Sequence, residues 1–313
     1  MQKKIILFIL SILLNNLINK INNEKINFKI CVCTCGKNEN KYAREFVEHY
    51  KRYGIDKIFI YDNNENNDEK FEDVLSDYIN NGYVKIYNYR NHSKIQMSSF
   101  NHCYQKNKND FAWFIYYDMD EFIHLKSYNN IKEYISKTIF NKCNIIYLNH
   151  VIHTDNNEFH YFNKSLFERF PEIESFKKIN MSYQPRTILL DLTKVIIRGN
   201  LTNITFKNPH FINNITSCDG FGNIITTKYN NIHLDKPDHK NFYFDHFYFK
   251  SLDEYLEKLN KASVFYGKKR GYNLYWFQLY FAINKITKEK LDYFENKTNT
   301  NLSFFRNIIE KIL

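Results

Sequence analysis

Residues 111–125 read FAWFIYYDMDEFIHL, an apolar and aromatic run that ends on Asp118, Asp120 and Glu121 before apolar residues resume. Three carboxylates within four residues repel one another, and a hydrophobic setting raises that cost. A divalent cation removes the repulsion. Carboxylate oxygens suit Mg2+ or Mn2+, which keep coordination positions open for phosphate oxygens. Asp-x-Asp at a strand end therefore reads as a site for a metal and a diphosphate, with Asp118 and Asp120 as ligands. Glu121 either supports them or caps the next segment. His210 in NPHFI and His246 in FDHFYF each sit between apolar residues, and a neutral imidazole from one of them is an acceptable third ligand.

Two more polar clusters follow strand-like segments. Gly36-Lys37-Asn38-Glu39 follows FKICVCTC, and Asp62-Asn63-Asn64 follows KIFIYD. Lys37 can meet a phosphate. Glu39 can cap the helix that starts near Asn40. Asp62 can accept from a ribose or base, or close an Asx turn.

The elements that must position these groups alternate. Strands are expected at 28–35, 57–62, 83–89, 111–117 and 144–153, and helices at 41–54, 68–82, 96–107 and 131–140. In the first helix Tyr42, Phe46, Tyr50 and Tyr53 recur at helical spacing and Gly54 can end it. Such alternation predicts an α/β fold with a mostly parallel central sheet flanked by helices. Ligands of such sheets bind beyond the carboxyl ends of the strands, so the three polar clusters should line one edge. Past residue 155 the periodicity degrades. A strand pair at 187–199 and some β character at 223–234 are expected, then a helical C-terminus over 251–266 and 272–294.

The chain has 313 residues and a formal net charge of +10, and 44 of its residues are Asn. That bias toward Asn, Lys and Ile reads as the codon usage of an AT-rich genome. No basic run has the density of a nucleic-acid-binding segment, so no nucleic-acid partner is expected. Lys3 and Lys4 precede the apolar run at 5–14, IILFILSILL. This reads as a signal peptide or short signal anchor over 1–23, with membrane contact through that segment alone. Entry to the secretory pathway follows, to the Golgi or ER membrane, or to secretion if the leader is cleaved. Sequons at Asn91, Asn163, Asn180, Asn200, Asn203, Asn214, Asn296 and Asn301 lean the same way. Cys31, Cys33 and Cys35 alternate on one face of the first strand and are expected as core-facing thiols, while Cys103, Cys143 and Cys218 are isolated.

Five segments in order resemble glycosyltransferase family 92 and its close family-2-like relatives. They are a Lys-Asn-Glu start at 37–39, EFVEHY at 45–50, IYDN at 60–63, WFIYYDMDEF at 113–122, and HFYFKS at 246–251. The resemblance implies a GT-A fold over 24–265, leaving 266–313 as a helical extension packed on it. It implies a type II Golgi-membrane enzyme, an inverting transfer and a nucleotide-sugar donor, UDP-galactose first. By motif, Asp118 and Asp120 would hold Mn2+ (or Mg2+) and diphosphate, with His246 completing the metal set. Lys37, Asn38, Glu39 and Asp62 would join Asp118 in the nucleotide pocket. Two departures stand out: residues 147–170 lack a Gly-rich turn associated with the family, and Phe247 replaces a common Tyr.

The expected reaction is metal-dependent transfer of a hexose to a glycan hydroxyl. A carboxylate would take the acceptor proton, and Asp155, Glu158, Glu168 and Asp219 lie in the region expected to face the acceptor. The alternative is a degenerate GT-A protein that binds a sugar nucleotide or glycan without turnover.

Overall fold

The computed structural model describes residues 28–174, 192–212, 214–225 and 238–310. The leader expected over 1–23 lies outside these residues, as do 187–191 of the expected strand pair and 226–234 of the later β-like segment.

The first half of the chain alternates as its periodicity requires: β1 (Ile30–Gly36), α1 (Asn40–Arg52), β2 (Lys57–Asp62), α2 (Phe71–Asn80), β3 (Val84–Asn88), α3 (Ile95–Asn107) and β4 (Trp113–Tyr116). Next come β5 (Glu121–Leu125), α4 (Ile131–Ile135), β6 (Ile145–Ile152), α5 (Leu166–Arg169) and β7 (Thr193–Arg198). The short β8 (Ser217–Cys218) and β9 (Ile224–Ile225) precede β10 (Phe242–His246). Four helices end the described chain: α6 (Leu252–Asn260), α7 (Leu274–Ile283), α8 (Lys288–Thr298) and α9 (Ser303–Glu310).

Among the described residues these strands form one sheet in the order β3-β2-β1-β4-β7-β6-β10-β5, with β8 attached to β6 and β9 to β8. β1, β2, β3 and β4 are mutually parallel, β6 and β10 run the same way, and β7 and β5 run against them. This is the mostly parallel, helix-flanked α/β sheet expected of a GT-A-like domain. The carboxyl ends of β1, β2, β4, β6 and β10 share one edge, and the amino ends of β5 and β7 arrive there too.

One apolar cluster joins Phe46 and Tyr50 of α1 to Ile115 and Phe122. On the opposite face Cys31, Cys33 and Cys35 pack with Phe100 and Cys103 of α3. A third cluster joins Leu252 and Tyr255 of α6 to Phe277, Tyr280 and Phe294 of the C-terminal helices. Those helices are also tied by charge: Lys290 donates to buried Asp155 at 2.5 Å, beside the Tyr280 hydroxyl.

EFIHL, given no element by its local pattern, is a strand, β5, because it pairs antiparallel with β10 over Glu121 to Leu125, a partner far along the chain. Two helices need correction. The helix expected over 131–140 stops at Ile135 and continues as a 3-10 turn, Thr138–Phe140. The helix expected over 272–294 breaks because Asn284 leaves helical geometry and spends its side chain on Asp155 N at 2.7 Å, after which Thr287 caps α8.

The cysteines depart further. Cys33 is not a thiol: it is bonded to Cys103, and Cys143 to Cys218. The alternation that turns Cys33 inward aims it at α3, where Cys103 faces the same cluster. Cys31 and Cys35 remain buried free thiols. Unfolding without reductant should therefore expose two alkylatable thiols, and unfolding with reductant all six cysteines, a count that mass spectrometry reads directly. Replacing Cys143 and Cys218 together by Ser should lower unfolding free energy by about 2–4 kcal/mol in urea titration.

Candidate active site

Asp118, Met119 and Asp120 form the turn between β4 and β5. Met119 is 2% exposed and packs down into the core, where Gly36 leaves it room: a Cβ on Gly36 would stand 3.0 Å from the Met119 sulfur. The turn is closed reciprocally, since Glu121 N donates to Asp118 O at 3.0 Å and Asp118 N donates to Glu121 Oε2 at 2.9 Å. Glu121 thus caps the turn that carries the two aspartates.

The counter-charges come from elsewhere in the chain. Gln96 Nε2 of α3 donates to Asp118 Oδ1 and Lys194 Nζ to Asp118 Oδ2, each at 2.8 Å. Lys194 also stands 3.0 Å from Glu121 Oε2. Its position follows from topology: β7 runs antiparallel between β4 and β6, so its amino end meets the carboxyl end of β4, where Tyr116 pairs Val195. Asp120 Oδ2 accepts from Lys250 Nζ at 3.2 Å and from Lys258 Nζ at 3.0 Å. Lys250 holds a left-handed backbone, φ 58, immediately before α6. Ser251 and Glu254 form a capping box that pins the helix start beside it. A non-glycine residue at such an angle is uncommon and marks a constrained position.

His246 ends β10 opposite Glu121. Its Nε2 is 3.7 Å from Asp120 Oδ1 and 3.8 Å from Glu121 Oε1, and its Nδ1 is 3.1 Å from His150 Nδ1. Burial holds the His246 imidazolium well below its ordinary range, so the ring is neutral. Burial opposes ionisation of Asp120, but Lys250 and Lys258 overcome it and hold that carboxyl well below the usual range. Burial lowers Lys258 to about 8 against the pull of Asp120. Lys194 divides its charge between two acids: it is pushed up by Asp118 and Glu121 against burial. Glu121 is left to burial, which raises its carboxyl to about 8 despite Lys194, with Asp118 and Asp120 adding to the rise.

These groups open into a cleft of about 370 Å³ lined by Lys37, Glu39, Asp118, Asp120, Glu121 and His246, among others. Lys258, Lys261, Lys37 and Glu39 also line a second pocket of about 410 Å³, where Asn38 lies. Glu39 stands at the N-cap of α1 but does not cap it. Glu69 Oε1 accepts from Asn40 N instead, and the Glu39 carboxylate turns to Lys261. Lys37 is paired with Glu65. Asp62 does not line either pocket: it accepts from Arg90 Nε at 2.8 Å and Asn64 N at 2.9 Å, a buried ion pair within an Asx turn. His210 lines the cleft with Nδ1 2.9 Å from Thr193 O, and burial lowers it to about 4.

None of the four suggested bases lines either pocket. Asp155 is buried against Lys290, Glu158 pairs with Arg169, Glu168 lies on α5, and Asp219 accepts from Phe221 N and Asn223 N. Gln96, Lys194, Lys258 and Lys261 are site residues that sequence reading missed. The signal for Lys258 is the capping box at Ser251, which fixes the helix phase that carries it. Lys194 has no local signal.

Among the described residues, no group of three or more His, Cys, Asp or Glu side chains stands in metal-holding geometry. Asp118 is turned to Gln96 and Lys194. Asp120 Oδ1 and His246 Nε2, 3.7 Å apart, can both reach one ion at metal–ligand distances of about 2 Å. A carboxylate and a neutral imidazole fit Mn2+ or Mg2+ that takes its remaining ligands from phosphate and water.

The profile of glycosyltransferase family 92 matches residues 26–264. A family 92 protein of Oryza sativa subsp. japonica is 30% identical over 104 residues, 33% of this chain and 18% of the relative. One from Ricinus communis is 24% identical over 197 residues, 62% of this chain and 32% of the relative. The chain thus matches a third or less of the length of these relatives. Among solved structures, S. aureus TarS 1–349 in complex with UDP is 14% identical at a TM-score of 0.33, covering 55% of this chain and 47% of that one.

A raised carboxyl binds a proton in the folded state that the unfolded chain has lost. Between Glu121's ordinary value and about 8, its contribution to stability should fall as pH rises. Glu121→Gln should flatten that slope in denaturant titrations run from pH 5 to pH 8, and an unchanged slope would contradict the assignment.

Proposed function

The chain belongs to glycosyltransferase family 92, and from that premise we propose that it transfers a hexose from a nucleoside-diphosphate sugar to a glycan hydroxyl, with inversion. The observation that carries this reading is the cluster of Asp118, Asp120 and Glu121 with three lysines at the carboxyl edge of the sheet. A UDP-linked donor, galactose first, is assigned on family membership.

When bound, Mn2+ or Mg2+ would supply positive charge against the leaving diphosphate. The chain's own residues do the rest. Asp120 and His246 would hold the ion, while Asp118, the other expected ligand, is engaged by Gln96 and Lys194. Lys250 and Lys258 keep Asp120 ionised and set two ammonium groups where diphosphate charge grows, fixed before the reaction begins. Lys194 and Gln96 hold Asp118 in one orientation toward the cleft. Lys37 and Lys261 extend the positive lining into the adjoining pocket, and Asn38 and Glu39 complete that wall. The acceptor's base is left unassigned.

The secretory pathway is the proposed location. Two disulfides support it, since such bonds persist in oxidising compartments, as do the basic-then-apolar leader and the sequons. Membrane contact would run through residues 1–23; among the described residues no helix is long and apolar enough to cross a membrane.

The second reading, a binding protein without turnover, draws on the lysines that already neutralise the acids. Incubation with Mn2+ and a panel of UDP- and GDP-sugars, with and without glycan acceptors, separates the two: transfer releases nucleotide, whereas a binding protein holds it unreleased. Asp120→Asn should lower kcat about 10²–10³-fold, and because it leaves Lys250 and Lys258 without their buried partner it should also lower the unfolding free energy. EDTA should abolish activity and Mn2+ restore it, and activity persisting in EDTA would remove the metal from the reading.

A further inference from the structure

The cleft has a wall that the acids and lysines do not explain. It is carried by residues 265–276, beyond the segment matched by the family profile. Tyr266 is 51% exposed and Tyr275 40%, and both line the same cleft as Asp118 and Asp120. Trp276 is half-buried beside Tyr275, with ring centroids 5.0 Å apart. The segment is built rather than loose. Ala262 and Lys269 form a β-bridge, Ser263 N donates to Lys268 O at 3.1 Å, and Gly271 N donates to Leu259 O at 3.0 Å.

Arg270 supplies the second observation. Its guanidinium lies 5.4 Å from the centroid of the Trp276 ring and lines the cleft. Its Nε is buried and has no hydrogen-bond partner. Among the described residues no carboxylate pairs with it. A desolvated donor on guanidinium costs free energy unless something accepts from it. Exposed rings beside that donor combine a flat apolar face with a directed polar group.

We propose that this wall is the acceptor subsite and that its occupant is a carbohydrate chain. One sugar lies with its C–H face on Tyr275 and its rim against Trp276, whose ring stands at 79° to that of Tyr275, and a hydroxyl or carboxylate oxygen accepts from Arg270. The proposal rests on the glycosyl-transfer reading of the same cleft. It assigns the donor to the acid-and-lysine side and the acceptor to the aromatic side, so that the acceptor hydroxyl meets the sugar between them.

The chain has two tryptophans, and Trp113 is 1% exposed beneath Arg198. A ligand-dependent change in tryptophan emission therefore reports Trp276. The probes are two- to four-sugar oligosaccharides, one series neutral and one containing uronic acid, titrated without donor or metal. Expected is a saturable emission shift with at least one series, absent in Trp276→Phe. Tyr275→Ala should weaken that binding about tenfold, as loss of an aromatic contact would, and Tyr275→Phe should restore it. A stronger response to the uronic series identifies a carboxylate on Arg270, and an equal response identifies a hydroxyl. No shift with either series, a shift with UDP alone, or an unchanged Kd in Tyr275→Ala overturns the proposal. The readout needs no turnover. Oligosaccharide binding without nucleotide release sinks the transfer reading alone, and nucleotide release without oligosaccharide binding sinks this one.

Discussion

The structure around the site depends on how three carboxylates in four residues are kept apart from bare repulsion. Lys194 serves Asp118 and Glu121, and Lys250 and Lys258 serve Asp120. Buried ion pairs of this kind contribute little net stability, because desolvation offsets their attraction, yet breaking one leaves a charge stranded. A core of similar volume made from apolar residues would fold at least as well. Such a cluster at the sheet edge is a mark of a functional site rather than a source of stability. The stability comes from elsewhere: the aromatic clusters on both sheet faces, the two disulfides and the third cluster beneath the C-terminal helices.

Topology makes the cluster possible. An all-parallel sheet would bring only strand ends to that edge. Here β7 and β5 run the other way, so Lys194, the second residue of β7, and Glu121, the first of β5, reach the edge where β4 and β10 finish. The capping box at Ser251 fixes the start of α6, and about two turns later Lys258 returns to Asp120. Each lysine is placed by a different device: an antiparallel strand, a left-handed residue and a helix phase.

Much of the first half was legible in the sequence because its signals are local. Helical spacing in 41–54, a continuous apolar run in 57–62, and aromatics followed by acids at 111–121 each carry their meaning within one window. The parallel sheet and its shared edge follow from alternation alone. Glu121's role was half visible, as a cap. What stayed hidden depends on partners distant in sequence. β5 needs β10, Cys33 needs Cys103, and Lys194 needs the reversal of β7. Asp62 sits where a ribose ligand would, but Arg90, 28 residues on, takes its carboxylate. Asp118 and Asp120 look equivalent in the motif and differ in space, one turned to Gln96 and Lys194, the other to His246 and two lysines.

The central claim is that this cluster of acids and lysines is organised to receive a diphosphate. Calorimetric titration of the full chain with UDP and with uridine, side by side in Mn2+, reads that claim without reference to any sugar or acceptor. Two charge-assisted contacts predict that UDP binds roughly 100-fold more tightly than uridine, with most of the gap lost in Lys258→Met. Equal affinities for UDP and uridine, or a gap unmoved by Lys258→Met, would contradict it.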